Sequence, residues 1–360
     1  MRVSLDSSAP RTSGAVPDAH EKNRIPKGSE SMRAFQSAVL GLLLSLTTSL
    51  THAADLTIRF GTPFVTNSNL HKAMEKFAEV VAKESSGSIK VQVYADSQIG
   101  DIQQLIAGMQ LGTVDMAYLG VGNAGQLKGC GPLNVSYLPY LFKSKRAAED
   151  GLNGPIFQEL YEQCAQSAGV RIFAVAGDRS PRALVTTKGP IMKPEDLNGM
   201  RLRIPPIPIF RETFEAVGVK VVPLGLNEVY MALSRGQVDG QDNGFDLTLT
   251  FRFHEVSKFW SATDHVYDMG AFYVSERKWK TFTPEQKALF KRAAAEGGKL
   301  ATQLGEEFDK RGLEELKKAG VTYVVPDKTA FEKAWANVYK SYEGKVWPDG
   351  LVARIKAAYK

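Results

Sequence analysis

From Leu56 onward the apolar residues fall into short β-like runs that alternate with stretches of helical spacing. Leu56 to Gly61 reads as a strand. Leu70, Ala73, Met74, Phe77, Val80 and Val81 then recur at the intervals of one helix face, and Gly87 closes that helix. Ile89, Val91 and Val93 alternate with Lys90, Gln92 and Tyr94, the period-two pattern of a half-exposed strand. The same reading gives a helix over 101–111, a strand over 114–119, a helix over 156–168 and a strand over 170–176. After a break at 177–181 come strands at 184–187 and 200–204, a helix at 209–217, a strand at 219–222 and a helix at 228–235. Thr283-Pro284-Glu285-Gln286 joins capping-box spacing to a proline at the first helical position. It opens a helical tract that runs toward Ala319, long enough to reach across two domains. A strand at 321–325 and an amphipathic helix at 329–342 complete the pattern. Such alternation predicts an α/β chain whose sheets are covered by helices.

The first 53 residues depart from this pattern. Residues 1–31 contain no Phe, Tyr or Trp and are rich in Ser, Pro and charge, so they have little with which to build a core; they are expected to be an upstream extension, with Met32 as the true start. Arg33, the 13-residue apolar stretch Ala38–Leu50 and the small-residue exit Thr51-His52-Ala53 read as a secretory signal over 32–53, cleaved near Ala53. The stretch is shorter than the roughly 20 apolar residues that span a bilayer, and no later run approaches that length. The 360 residues suggest two domains. With no low-complexity linker between the halves, the chain is expected to cross between its lobes more than once. The 45 basic and 39 acidic residues are interspersed, which excludes the basic patch of a nucleic-acid binder. Cys130 and Cys164 are the only cysteines; in an oxidising compartment they form one disulfide or remain two small buried hydrophobes, and their spacing does not decide between these.

Catalytic and cofactor motifs are sparse. Gly120-Val121-Gly122-Asn123-Ala124-Gly125 fits G-x-G-x-x-G after a strand, but Gly129, Gly131 and Pro132 interrupt the helix that would hold a pyrophosphate, and 138–148 hold no acid for a ribose. A plain strand-to-loop turn is the simpler reading. There is no G-x-S-x-G, P-loop or C-x-x-C, and His254-Glu255 lacks the second histidine of H-E-x-x-H. His71, His254 and His265 lack metal-ligand spacing and read as surface or helix residues. No cofactor and no catalytic activity are expected.

Two arginines stand out. In Met200-Arg201-Leu202-Arg203-Ile204 the apolar side chains take one strand face and both guanidiniums the other. Pro205-Pro206 ends the strand, which leaves Arg203 at its carboxyl end, where open α/β sheets bind ligands; a planar guanidinium there suits an organic anion. The competing reading is a solvated arginine on an exposed face. Asp239-Gly240-Gln241-Asp242-Asn243-Gly244 is a dense turn signal, read as a polar loop at a cleft mouth or as a helix-terminal loop.

Several segments, in order, resemble one family: Leu70-His71-Lys72-Ala73-Met74-Glu75-Lys76-Phe77-Ala78, Leu111-Gly112-Thr113-Val114-Asp115-Met116, Leu138-Pro139-Tyr140-Leu141-Phe142, Met200-Arg201-Leu202-Arg203-Ile204-Pro205, Glu228-Val229-Tyr230-Met231-Ala232-Leu233 and Val238-Asp239-Gly240-Gln241-Asp242-Asn243. From about Leu56 to the C-terminus the chain is similar to the DctP-type solute-binding proteins of tripartite ATP-independent periplasmic (TRAP) transporters. The resemblance implies a two-lobed periplasmic-binding-protein-like α/β fold, each lobe a sheet flanked by helices, joined by hinge strands and a long helix. It places 54–179 with 269–308 in lobe I and 180–268 with 309–360 in lobe II. It implies a monomeric periplasmic protein that closes on a small organic acid and delivers it to the small and large membrane subunits of an ion-driven permease. A ligand-binding subunit that feeds a sensor or chemotaxis receptor is the alternative, with an exported α/β enzyme behind it.

The resemblance assigns the ligand carboxylate to Arg203, an assisting role to Arg182, a polar contact to Asn243 and a pocket-lining role to Leu226. Departures bear on specificity: Asp242 replaces a Glu, Gly244 a Pro, and Leu226 stands where an aromatic often packs. Pro63 occupies a position that can carry a polar contact, and Gly120 falls where sialic-acid binders carry an acid. A carboxylate with a compact or apolar body is the expected ligand.

Overall fold

A computed structural model describes residues 56–66 and 68–359. The expectations for 1–53, the upstream extension and the cleaved signal, lie outside them. In chain order the regular elements begin with β1 (Leu56–Gly61), α1 (Asn69–Glu84), β2 (Ile89–Tyr94), α2 (Ile102–Leu111) and β3 (Met116–Gly120). Then follow α3 (Lys145–Leu152), α4 (Pro155–Ala168), β4 (Val170–Asp178), β5 (Ala183–Thr186), β6 (Arg201–Ile204), α5 (Pro208–Glu215) and β7 (Lys220–Pro223). The remainder is α6 (Val229–Ser234), β8 (Gly240–Asn243), α7 (Phe245–Thr250), β9 (Phe259–Ser261), β10 (Met269–Ser275), α8 (Glu276–Thr281), α9 (Pro284–Lys318), β11 (Thr322–Val324), α10 (Lys328–Trp335) and α11 (Leu351–Ala358).

The strands form two mixed sheets, one in the order β2-β1-β3-β10-β4 and one in the order β11-β9-β5-β8-β6-β7. The chain leaves the first sheet after β4 and returns to it at β10. These two passages run side by side: Arg179 N–H donates to the Asp268 carbonyl, Arg182 N–H to that of Val266, and His265 N–H to that of Arg182. A third crossing is α9, whose Thr283-Gln286 capping box forms as the sequence predicts. Its first half packs on α1 and β4, and its second half approaches α7 and β11. Aromatic rings fill the space under the first sheet, with Phe77 stacked between Phe272 and Phe290 at centroid distances of 5.4 and 6.0 Å. In the second sheet Trp260 stacks on Phe245 at 4.3 Å. Burial of such rings supplies much of the hydrophobic stabilisation.

Cys130 and Cys164 are disulfide-bonded, which ties the 3-10 turn at Gly131–Tyr137 to α4. Closing a loop of 34 residues contributes about 2–4 kcal/mol of stability. The tail past Tyr342 returns toward the first sheet: Val346 lies against Gly131, Tyr359 against Gly154, and Arg354 faces Glu159 at 3.9 Å.

Three local expectations change. Asp239–Gly244 is not a turn: Gly240–Asn243 is β8, fully buried between β5 and β6. Its polar composition is accommodated because arginines meet its acids, Arg201 of β6 at Asp239 and Arg182, just before β5, at Asp242. The C-terminal helix is shorter than 329–342, ending at Trp335 with a 3-10 turn at Val338–Ser341. His265 is not a surface residue; it is 1% exposed.

Two adjacent glycines let α9 approach its neighbours. A Cβ on Gly298 would sit 2.2 Å from that of Ala176 and 2.8 Å from the Ala176 carbonyl carbon, so space selects glycine. Gly298→Ala is expected to cost about 1–3 kcal/mol of unfolding free energy through overpacking. Gly189→Ala, where nothing lies within 4 Å, should be near neutral. Chemical denaturation of both variants checks this; equal stabilities would show that the helix is not held at that distance.

Candidate functional site

β6 ends at Ile204 because Pro205 cannot donate to a neighbouring strand. Arg203, opposite Val222 of β7 and Gln241 of β8, is thereby set at the sheet's edge of opening. It is 3% exposed, not a solvated strand residue. Its Nε–H and an Nη2–H donate to the Leu224 carbonyl at 3.0 and 2.7 Å. No carboxylate lies within ion-pairing distance of it among the described residues. Burial, only partly offset by Asp242, lowers its pKa to about 10, so it remains a cation at neutral pH.

The other two arginines nearby are neutralised from within the protein. Arg182 donates through Nε to Asp242 Oδ2 at 2.8 Å and through Nη2 to the Asp242 carbonyl at 2.5 Å, with its guanidinium 4.8 Å over the Phe210 ring. Burial works against ionisation of Asp242, but Arg182 and His265 outweigh it and hold the carboxyl below its ordinary value. His265 places Nε2 3.4 Å from Asp242 Oδ2, and its Nδ1 hydrogen-bonds the Thr263 hydroxyl at 2.8 Å. Arg179 bridges Asp268 at 2.6 Å and Asp246 at 3.2 Å, all of them buried. Burial pushes the Asp246 carboxyl up against the pull of Arg179. Tyr137 donates its hydroxyl to Asp268 at 3.3 Å, and burial raises its pKa well above the ordinary value.

These groups converge on one cleft between the sheets. An outer cavity of about 240 Å³ narrows into a recess of about 40 Å³. Arg203, Arg182, Asn243 and Leu226, the four residues singled out from the sequence, all line the recess. Asn243 Nδ2 donates to Gln241 Oε1 at 2.5 Å, and Leu226 sits at the start of a 3-10 turn, 8% exposed. Pro63 lines the outer cavity. Gly120 is filled from outside: a Cβ there would lie 2.5 Å from the Tyr137 hydroxyl and 2.6 Å from Asp268 Oδ2. Asp268 thus occupies the space that a side chain at position 120 would need.

The sequence reading missed Arg179, Phe64, Asn123 and Phe210, which also line the recess. Arg179 sat in the segment read only as a break; its signal was a second arginine three residues before Arg182. Asn123 was noticed for the glycines around it, not for its side chain. Across the mouth, Asn227 Nδ2 donates to Ser97 Oγ at 2.8 Å, joining the two sheet regions. Ser97 and Asp96 both have positive φ, 57° and 52°, and Thr66 N–H and Oγ1–H hold the Asp96 carboxylate. Two such residues in succession are a strained arrangement, which is stored where the loop meets the cleft.

A family model described as bacterial extracellular solute-binding protein, family 7, matches residues 60–345. A solute-binding protein of Roseobacter denitrificans is 32% identical over 82% of this chain and 90% of its own length. The 2,3-diketo-L-gulonate-binding periplasmic protein of Escherichia coli is 27% identical over 87% of this chain and 93% of its own length. Among solved structures, a TRAP periplasmic solute-binding protein from Roseobacter denitrificans with bound L-galactonate is similar, with a TM-score of 0.78 and 27% identity, over 85% of this chain and 99% of that one. Another, from a Sulfitobacter species with bound β-D-galacturonate, has a TM-score of 0.78 and 25% identity over 84% and 99%.

The Arg182–Asp242 pair has a stability consequence with a definite sign. A carboxyl whose folded pKa lies below its unfolded value of 3.8 contributes stability above that value and loses it as pH falls through the folded pKa. Asp242→Asn is therefore expected to be less stable than the parent near neutral pH and to lose less on acidification toward about pH 3. Thermal unfolding at several pH values decides; parallel curves would show that the pair does not control acid stability.

Proposed function

We propose that this chain, which belongs to family 7 of the bacterial extracellular solute-binding proteins, captures a small organic acid between its two sheets with Arg203 as the carboxylate anchor. The observation that carries the reading is the buried Arg203 guanidinium, which has a backbone carbonyl for a partner and, among the described residues, no ion-paired carboxylate. A buried cation without a paired carboxylate is costly to keep, which supports a role for Arg203 in holding an anion. The relatives' ligands, L-galactonate, β-D-galacturonate and 2,3-diketo-L-gulonate, are small carboxylates and support the same class here. Arg182, held by Asp242, orients the anchor's surroundings, Asn243 offers a polar contact, and Leu226 packs on the ligand body. The comparisons give no support to a sensor-feeding subunit or an exported α/β enzyme, and we read the chain as a non-catalytic binding protein.

We propose that the loaded protein then docks on the two-subunit membrane permease of a TRAP transporter, a step that the family membership supports. We assign it to the periplasm, as the relatives' names support, with residues 32–53 removed by signal cleavage. Among the described residues no helix is long and apolar enough to cross a membrane. We assign 54–179 with 269–308 to lobe I and 180–268 with 309–342 to lobe II. The contacts of Val346, Arg354 and Tyr359 support moving the tail beyond about 343, first grouped with lobe II, to lobe I.

Two outcomes test this. Arg203→Ala should raise the dissociation constant for a bound acid by roughly 30- to several-thousand-fold, since truncating one partner of a buried charge pair costs about 2–5 kcal/mol. Arg203→Lys should also bind poorly, because an ammonium cannot form the bidentate fork. Arg201→Ala is the control: Arg201 is half exposed and already spent on Asp239. Calorimetry that finds equal, small losses at both arginines would remove Arg203 as the anchor. Separately, protein recovered from the exported fraction should begin at Ala54 or within a residue or two, as read by N-terminal sequencing; retention of 38–50 would make it membrane-anchored.

A further inference from the structure

The charges that line the cleft limit what the acid can be. In the inner recess Arg179 is matched by Asp246 and Asp268, and Arg182 by Asp242, so neither has charge to spare. Arg203 alone of the three has no ion-paired carboxylate among the described residues; Asp242 and Glu228 act on it only at longer range. Toward the mouth the sign reverses: Asp101 and Glu228 line the outer cavity, and no lysine, histidine or second arginine joins them among the described residues. Both carboxylates are held in place. Asp101 Oδ1 accepts the Gln104 N–H at 2.9 Å as the cap of α2, and Glu228 Oε2 accepts the Gly225 N–H at 2.7 Å. The other oxygen of each has no protein donor among the described residues. Between these acids and Arg203 the wall carries uncharged groups that donate and accept, with Gln103, Asn123 and Gln126 among them.

We infer that the site is built for one negative charge: it takes a monocarboxylate whose far end carries hydroxyl groups, and it rejects dicarboxylates, with Asp101 and Glu228 as the specificity-determining residues. This rests on the reading of Arg203 as the carboxylate anchor. A hydroxyl reaching the mouth finds a carboxylate oxygen ready to accept its proton. A second carboxylate there meets two like charges and no cation. Asp101 and Glu228 are exposed, so solvent screens their repulsion, and much of the discrimination comes from the missing counter-ion. Leu226 lines both the recess and the outer cavity, so it packs on the carbon body of the acid while the amides and carboxylates of the same wall take its hydroxyl groups.

The test uses acids matched in body and differing in charge: L-galactonate against galactarate, and erythronate against tartrate, with succinate and malate added. Calorimetry on the folded mature chain is expected to show binding of at least one monoanion, with its dianionic counterpart weaker by about tenfold or more. In an Asp101→Asn, Glu228→Gln variant the gap should narrow severalfold; asparagine keeps the cap on α2, and circular dichroism confirms the fold. Dianions that bind as tightly as monoanions, with Arg203→Ala abolishing both, would overturn the charge limit while leaving the anchor in place. Binding that survives Arg203→Ala would instead overturn the anchor. No binding by any of these acids would overturn the hydroxylated-monocarboxylate assignment, and an unchanged gap in the double variant would remove Asp101 and Glu228 as its cause.

Discussion

Charge neutrality in a low-dielectric interior is the constraint on which this molecule turns. Three guanidiniums lie almost wholly buried within one cleft. Desolvating any of them is costly, and the protein offsets the cost for Arg179 and Arg182 with carboxylates on strands and hinge passages that touch them directly. For Arg203 it supplies a carbonyl dipole, enough to fix the guanidinium plane but not to cancel its charge. For the proposed carboxylate anchor, this means a cation positioned before any ligand arrives, which keeps the reorganisation on binding small.

The scaffold explains why that cation sits where two bodies meet. Arg203 belongs to β6, next to β8, while Arg179 and Arg182 belong to the passage between β4 and β5. That passage is paired with the returning passage through His265 and Asp268. The same residues thus carry the backbone hydrogen bonds of the crossing and the ion pairs that flank the anchor. Any rotation of one sheet relative to the other must turn about this ladder, with the Asn227–Ser97 bond at the far side of the cleft the easier contact to break, since Asn227 is exposed and the ladder is buried.

Much of this was legible in the sequence where local pattern and tertiary setting agree. The period-two run Ile89–Tyr94, the capped start of α9 and the proline stop after Ile204 each follow from residues within a few positions, and the structure places them as read. The recess was legible only in part. Arg203 could be placed by the strand's facing and the prolines; Arg182, Asn243 and Leu226 came from resemblance, since nothing local marks them. β8 was misread because Asp, Gly and Asn favour turns when their surroundings are ignored, whereas Arg182 and Arg201 reach them from about 60 and 38 positions earlier in the chain. β10 gave no alternation to detect, being buried along its whole length. His265 shows the same limit from the other side: the partner that makes its burial tolerable, Asp242, lies 23 positions earlier in the chain.

With Arg203 as the proposed anchor, binding and stability are coupled through it. An acid that pairs with Arg203 binds the folded chain and not the unfolded one, so it stabilises the fold by an amount set by its concentration over its dissociation constant, about 2.7 kcal/mol at a hundredfold excess. Filling the site with a protein carboxylate would give the unliganded chain that stability permanently and would close it to ligand. Leaving Arg203 to a carbonyl keeps the gain conditional on ligand. The neighbouring pairs shape this arrangement: Arg179 meets Asp246 and Asp268 and Arg182 meets Asp242, so Arg203 is the one of the three arginines with no ion-paired carboxylate among the described residues, and a single ligand carboxylate is the smallest group that pairs with it.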